Sequence, residues 1–181
     1  MRLKEITSEW LYHGTSAAAA VNIVTEDSFM AEDTHGDGLG LGLSLTRNFS
    51  IAKRFAKVSS DSWLQFGDEE WSPGWAEKLV RGTGGIILCF KRQHIANMLV
   101  PIVQPESNNG FGYKINNREV NDEEEERLIA PKGQNRIMGA RNMIDSIKLI
   151  NKLKFTQYCD KLMELEPEYQ DAINFLQSKS T

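Results

Sequence analysis

One run constrains this chain more than any other: Gly84-Gly85 followed by Ile86-Ile87-Leu88-Cys89-Phe90. An unbroken apolar strand cannot alternate between core and water, so it reads as buried on both faces. Such a strand needs covering layers on each side, and the chain offers amphipathic helices to supply them. One carries Ala17, Ala20, Val21 and Val24 at helical spacing, with Thr15 or Ser16 as its cap and Asp27-Ser28 as its end. A second is capped by Asn48 or Ser50 and carries Ile51, Phe55 and Val58 at i, i+4 and i+7. A helical tail covers about 153–178, broken at Pro167.

Strands are expected at 10–13, ended by Gly14, at 43–46, at 99–103 and at 146–150, with another running from Glu123 to Ile129 and stopped by Pro131. Residues 104–117 are rich in Asn, Gly, Pro and Ser and read as a loop, and a helical turn is expected at 135–142. The helical pattern dissolves at 59–74, a stretch that reads as a long excursion with a helix near 75–80. Helices and strands intersperse without a regular βαβ rhythm. The class is therefore α+β, in one domain over 1–181, with a core at about 10–150.

Composition excludes several functions. Apolar residues are 40% and charged residues 25% of the chain, which excludes wholesale disorder. The net charge of −4 argues against coating nucleic acid by bulk charge. The two cysteines, Cys89 and Cys159, are too few for a disulfide framework or a thiolate zinc site; both lie in apolar patterns and read as buried free thiols. No apolar run approaches the ~18 residues of a membrane span. The expected setting is the cytoplasm, and no metal is expected.

Three local signals can carry chemistry. His13, in Tyr12-His13-Gly14-Thr15, closes a strand beside a glycine that allows a ligand close to the backbone. Ser44 and Thr46 alternate on one face of a strand, Leu43 and Leu45 on the other. The alternating glycines 36, 38, 40 and 42 before them fail the spacing of a dinucleotide fingerprint. The acidic run Glu123 to Glu126 enters an apolar strand, so Glu124 and Glu126 share a face and can divide labour between a sugar cation and a nucleophile. Each signal also has a plain structural explanation: a strand-end histidine, hydroxyls bonded to backbone, a solvated acidic tract.

In this order the three motifs resemble the signature of the ADP-ribosyltransferase-like family: a first-strand His, a Ser/Thr strand followed by a helix, and a Glu-x-Glu at the start of a later strand. The resemblance covers about 10–150 and implies a split mixed or antiparallel sheet with flanking helices. It implies NAD+ as co-substrate and mono-ADP-ribosylation of a macromolecule, protein rather than nucleic acid, in a phage or bacterial setting. By resemblance, His13 would hold a ribose hydroxyl, and Gly14 and Thr15 would line the nicotinamide side. Ser44 would support that pocket while Thr46 structures its strand. Arg47 and Arg54 would face the pyrophosphate. Glu126 would hold the ribose 2′-hydroxyl and favour the oxocarbenium-like transition state. Glu124 would orient the acceptor, with Glu125 one register slip away. Phe111 and Tyr113 fall where such enzymes recognise targets. Tyr12, Phe49 or a tryptophan of the 63–75 stretch is left to stack on nicotinamide.

Two further enzyme-fold readings remain. An RNA 2′-phosphotransferase shares the His-Gly-Thr start, but the chain lacks its His-x-His context, having only His13, His35 and His94. A non-catalytic NAD+- or protein-binding module of the same fold is the other. A structural interaction protein using the tryptophan-rich stretch is the reading of a different class.

Overall fold

The computed structural model describes residues 10–31, 42–66, 85–101, 114–115, 118–119 and 125–180. Strand β1 (Trp10–Ser16) leads into helix α1 (Ala17–Glu26), then β2 (Ser28–Met30), β3 (Gly42–Thr46) and helix α2 (Phe49–Phe66). Next come β4 (Gly85–Lys91), the short helix α3 (Arg92–Ile95), β5 (Leu99–Pro101), the two-residue strands β6 (Lys114–Ile115) and β7 (Arg118–Glu119), and β8 (Glu125–Ile129). The chain closes with β9 (Arg136–Met138), α4 (Ala140–Met143), β10 (Ser146–Leu149), α5 (Lys152–Leu165), a 3₁₀ turn (Pro167–Tyr169) and α6 (Gln170–Lys179).

The α+β class holds. The main sheet has six strands in the order β10-β4-β1-β3-β8-β5, and every neighbouring pair is antiparallel. Two smaller pairings, β2 with β9 and β6 with β7, lie outside it. The apolar strand β4 is buried along 85–90, as its composition requires.

The sheet consists of two halves. In β10-β4-β1, the β1–β4 ladder runs unbroken from Trp10–Lys91 to Ser16–Gly85. In β3-β8-β5, all five residues of β3 pair with β8. Between the halves, β1 and β3 pair only at Tyr12–Thr46.

Each face has its own core. Leu11, Leu43, Leu45, Ile86, Leu88, Phe90, Leu128 and Ile147 face a large cluster that includes α1, α5 and α6. Ile87 and Cys89 face α2 through Ala52 and Ala56. This second layer is thin because two strand residues opposite the helix are glycines. A Cβ on Gly14 would lie 1.9 Å from the Ala52 carbonyl oxygen, and one on Gly85 would lie 2.6 Å from that of Ala56. Gly42 likewise leaves room for the stem of buried Arg127, whose Cγ would meet a Cβ there at 2.4 Å.

Several expectations change. β1 does not end at Gly14; pairing with β4 carries it to Ser16, and Gly14 serves the contact with α2. The stripe through Ile51 and Phe55 is only half buried, because α2 seats its alanines on the glycines instead; the Val58 side chain lies outside the described residues. α2 also continues to Phe66 through a stretch whose polar residues hide its period. The turn expected at 135–142 is a strand followed by α4, since β2 recruits Arg136–Met138 into a ladder. The helix expected near 75–80 lies outside the described residues.

Other local readings hold. Ser16 caps α1 by accepting from the Ala19 amide at 3.1 Å, and left-handed Asp27 (φ 48°) ends it. Asn48 caps α2, its Oδ1 accepting from the Ser50 and Ile51 amides. Cys89 and Cys159 are free and buried, and burial pushes the Cys159 thiol up to about 12. Among the described residues, no helix is long and apolar enough to cross a membrane.

Candidate active site

The faces of the sheet sort the candidate residues. Directly paired residues of antiparallel strands point to the same face, and successive residues to opposite faces. Tyr12 pairs with Thr46, so Tyr12, Gly14, Ser44 and Thr46 belong to the α2 face. Glu126 pairs with Leu45, so it belongs with His13 and Thr15 to the other face. His13 and Glu126 are thus brought together on one face, on strands flanking β3. Two strand spacings put their backbones about 10 Å apart. The side chains of Ser44 and Thr46 point away from them.

Ser44 nevertheless enters the site through its backbone. The His13 Nδ1 lies 2.9 Å from the Ser44 carbonyl oxygen. A carbonyl only accepts, so Nδ1 carries the proton and Nε2 is left with a lone pair. Burial lowers the His13 pKa, and the bond to Ser44 opposes that shift only in part. The ring is therefore neutral at pH 7 and offers an acceptor to a hydroxyl. This bond also spans the boundary between the halves of the sheet, next to their single paired position.

Glu126 is the other pole. Its side chain is 3% exposed, and Arg92 grips it. Arg92 Nη2 donates to Oε1 at 2.8 Å, and Nε donates to Oε2 at 3.0 Å and to Oε1 at 3.2 Å. Arg47 approaches Oε1 from the end of β3 at 3.5 Å. Burial alone would raise the Glu126 pKa; the hydrogen bonds and charge of Arg92, with help from Arg47, outweigh it and hold the carboxyl below its ordinary value. Arg92 is held correspondingly more strongly protonated, chiefly by its hydrogen bonds to Glu126. Among the described residues, Oε2 has one cationic partner and keeps lone-pair capacity for a further donor.

The remaining candidates divide. Thr46 is buried, and its Oγ1 accepts from the Asn48 amide at 3.0 Å, so it shapes the turn into α2. Arg47 meets Glu126, and Arg54 is exposed on α2. Tyr12 and Phe49 form an edge-to-face pair, centroids 5.3 Å apart, on the face opposite Glu126. Glu124, Phe111, Tyr113 and Trp75 lie outside the described residues, as do the side chains of Glu125 and Trp63. The structure brings in one residue that no motif marks, Arg92. It follows the apolar strand directly and carries no pattern of its own; its partner is 34 positions away.

Comparison with protein-family models, curated proteins and solved structures finds no match. The reading of the site rests on its own chemistry. His13 supplies a neutral acceptor, Glu126 a fixed anion, and Gly14 lies between them and α2. Among the described residues, no group of His, Cys, Asp and Glu could hold a metal ion.

Proposed function

We propose that this chain is an NAD+-dependent mono-ADP-ribosyltransferase. It cleaves the bond between nicotinamide and ribose and passes ADP-ribose to a macromolecular acceptor, a protein rather than a nucleic acid. The observation that carries this reading is the pairing of neutral His13 and ionised Glu126 on one face, across the place where the sheet parts.

The chemistry follows from charge. As nicotinamide leaves, positive charge grows on the ribose. A carboxylate already ionised and fixed by Arg92 stabilises that charge without reorganising at the moment of reaction. Oε2 accepts from the ribose 2′-hydroxyl. His13 Nε2 accepts from a hydroxyl of the second ribose, about two strand widths away. The acceptor nucleophile then attacks the anomeric carbon and its proton is lost to a base, the role the family resemblance gives to Glu124.

One observation favours a second reading. Arg92 engages both Glu126 oxygens, as it would in an ion pair that only braces the sheet. On that reading the chain binds NAD+ without turning it over. Nicotinamide release separates the two. The wild type releases nicotinamide, and Glu126→Gln lowers the rate by about 10²–10³-fold while NAD+ affinity, measured by calorimetry, stays within a few-fold. NAD+ binding without release supports the second reading, and neither binding nor release ends both. Incubating cell lysate with labelled NAD+ and the protein then identifies the acceptor.

A further inference from the structure

On the α2 side, at the β10 edge of the sheet, the molecule has a cavity of about 260 Å³. Its lining is mixed, with Ile87, Leu149, Ile150 and the Phe49 ring as the apolar part. Three lysines line it: Lys53, one turn along α2 from Phe49; Lys148 on β10; and Lys152, the first residue of α5. Lys148 pairs with Ile87, so both point to the α2 face. That is the face opposite Glu126, and β10 lies four strand positions from β8, about 19 Å.

In a chain of net charge −4, three cations converging on one hollow make a local field opposite to the molecule's own. Lys53 and Lys152 make no ion pair among the described residues. Like charges lining one cavity repel, and an anion between them relieves that repulsion. The apolar part of the lining adds a requirement. A bare anion would leave Ile150 and the Phe49 ring uncovered, whereas an anion carried on a flat apolar body would cover them.

We propose that this cavity binds a small phosphate ester of mononucleotide size, with the phosphate among Lys53, Lys148 and Lys152 and the apolar body over Ile150 beside Phe49. The cavity is separate from the face that carries His13 and Glu126, so the proposal stands or falls independently of NAD+ chemistry.

Calorimetry of the full chain with AMP, and with adenosine as the uncharged control, tests it. AMP binds saturably, adenosine does not, and added salt weakens the AMP complex. Lys53→Glu and Lys152→Glu each weaken AMP by about tenfold or more, while Lys152→Arg retains it. Both lysines are exposed, so these variants leave the core intact. The proposal is overturned by either of two results: no saturable AMP binding, or an affinity indifferent to both charge reversals.

Discussion

A carboxylate nearly sealed from water stays ionised only if a cation is fixed beside it, and in this molecule that cation is Arg92. The pH dependence follows. The folded-state pKa of Glu126 lies below its ordinary value, so the pair's stabilisation is complete above about 4.5 and is lost as pH falls through the folded value. Arg92→Gln removes the dominant opposing interaction and leaves burial to raise the carboxyl pKa. We expect a loss of about 1–3 kcal/mol at pH 7, after allowing for the exposure of Arg92, that shrinks as pH falls and the buried carboxyl takes up its proton. Melting temperatures of wild type and variant measured from pH 3 to 7 check this; a gap that does not close toward acid pH shows that Arg92 does not control Glu126. The sequence marked Glu126 because a charge entering an apolar strand is conspicuous. It could not mark Arg92, since an arginine after a strand is ordinary until the fold brings a carboxylate to it.

At the scale of elements, the informative contact is between β1 and α2. The backbone of the helix occupies the space a side chain on Gly14 would fill. Gly14→Ala therefore forces β1 and α2 apart, at a cost of about 1–3 kcal/mol. Denaturant titration should show a lower midpoint with an unchanged slope; an unaltered midpoint means the helix can retreat freely. Capping chemistry was legible in the sequence: Ser16 and Asn48 both cap the helices they precede. The buried stripe of α2 was not. Large apolar residues at helical spacing pointed to Ile51 and Phe55, but strand glycines select small partners, so Ala52 and Ala56 are the buried pair. That preference depends on two strands distant in sequence. The short β2–β9 pairing was hidden for the same reason, because neither three-residue strand has enough length to show a period.

For the whole molecule, the C-terminal helices are part of the main core. Ala172, Ile173 and Leu176 of α6 are buried in the same cluster as Leu11 and Phe90, and Ser180 bridges to Ile147 on β10. Leu176→Ala should cost about 2–5 kcal/mol. Truncation after Leu165 should abolish cooperative unfolding followed by near-ultraviolet circular dichroism; a truncated chain that melts as sharply as the full one would show the core complete without α6. The α+β class was legible because one strand was too apolar for any place but between two layers. The strand order was not, since β1 lies between β3 and β4 through pairings that no local pattern encodes.

The single residue pair joining β1 to β3 has a mechanical meaning. A continuous ladder resists separation with a row of backbone bonds that must break together. Here the strands are already separated along most of their length, and an imidazole ring serves as the clasp. Breaking that one bond frees the halves to part while disturbing almost none of the main-chain scaffold on either bank.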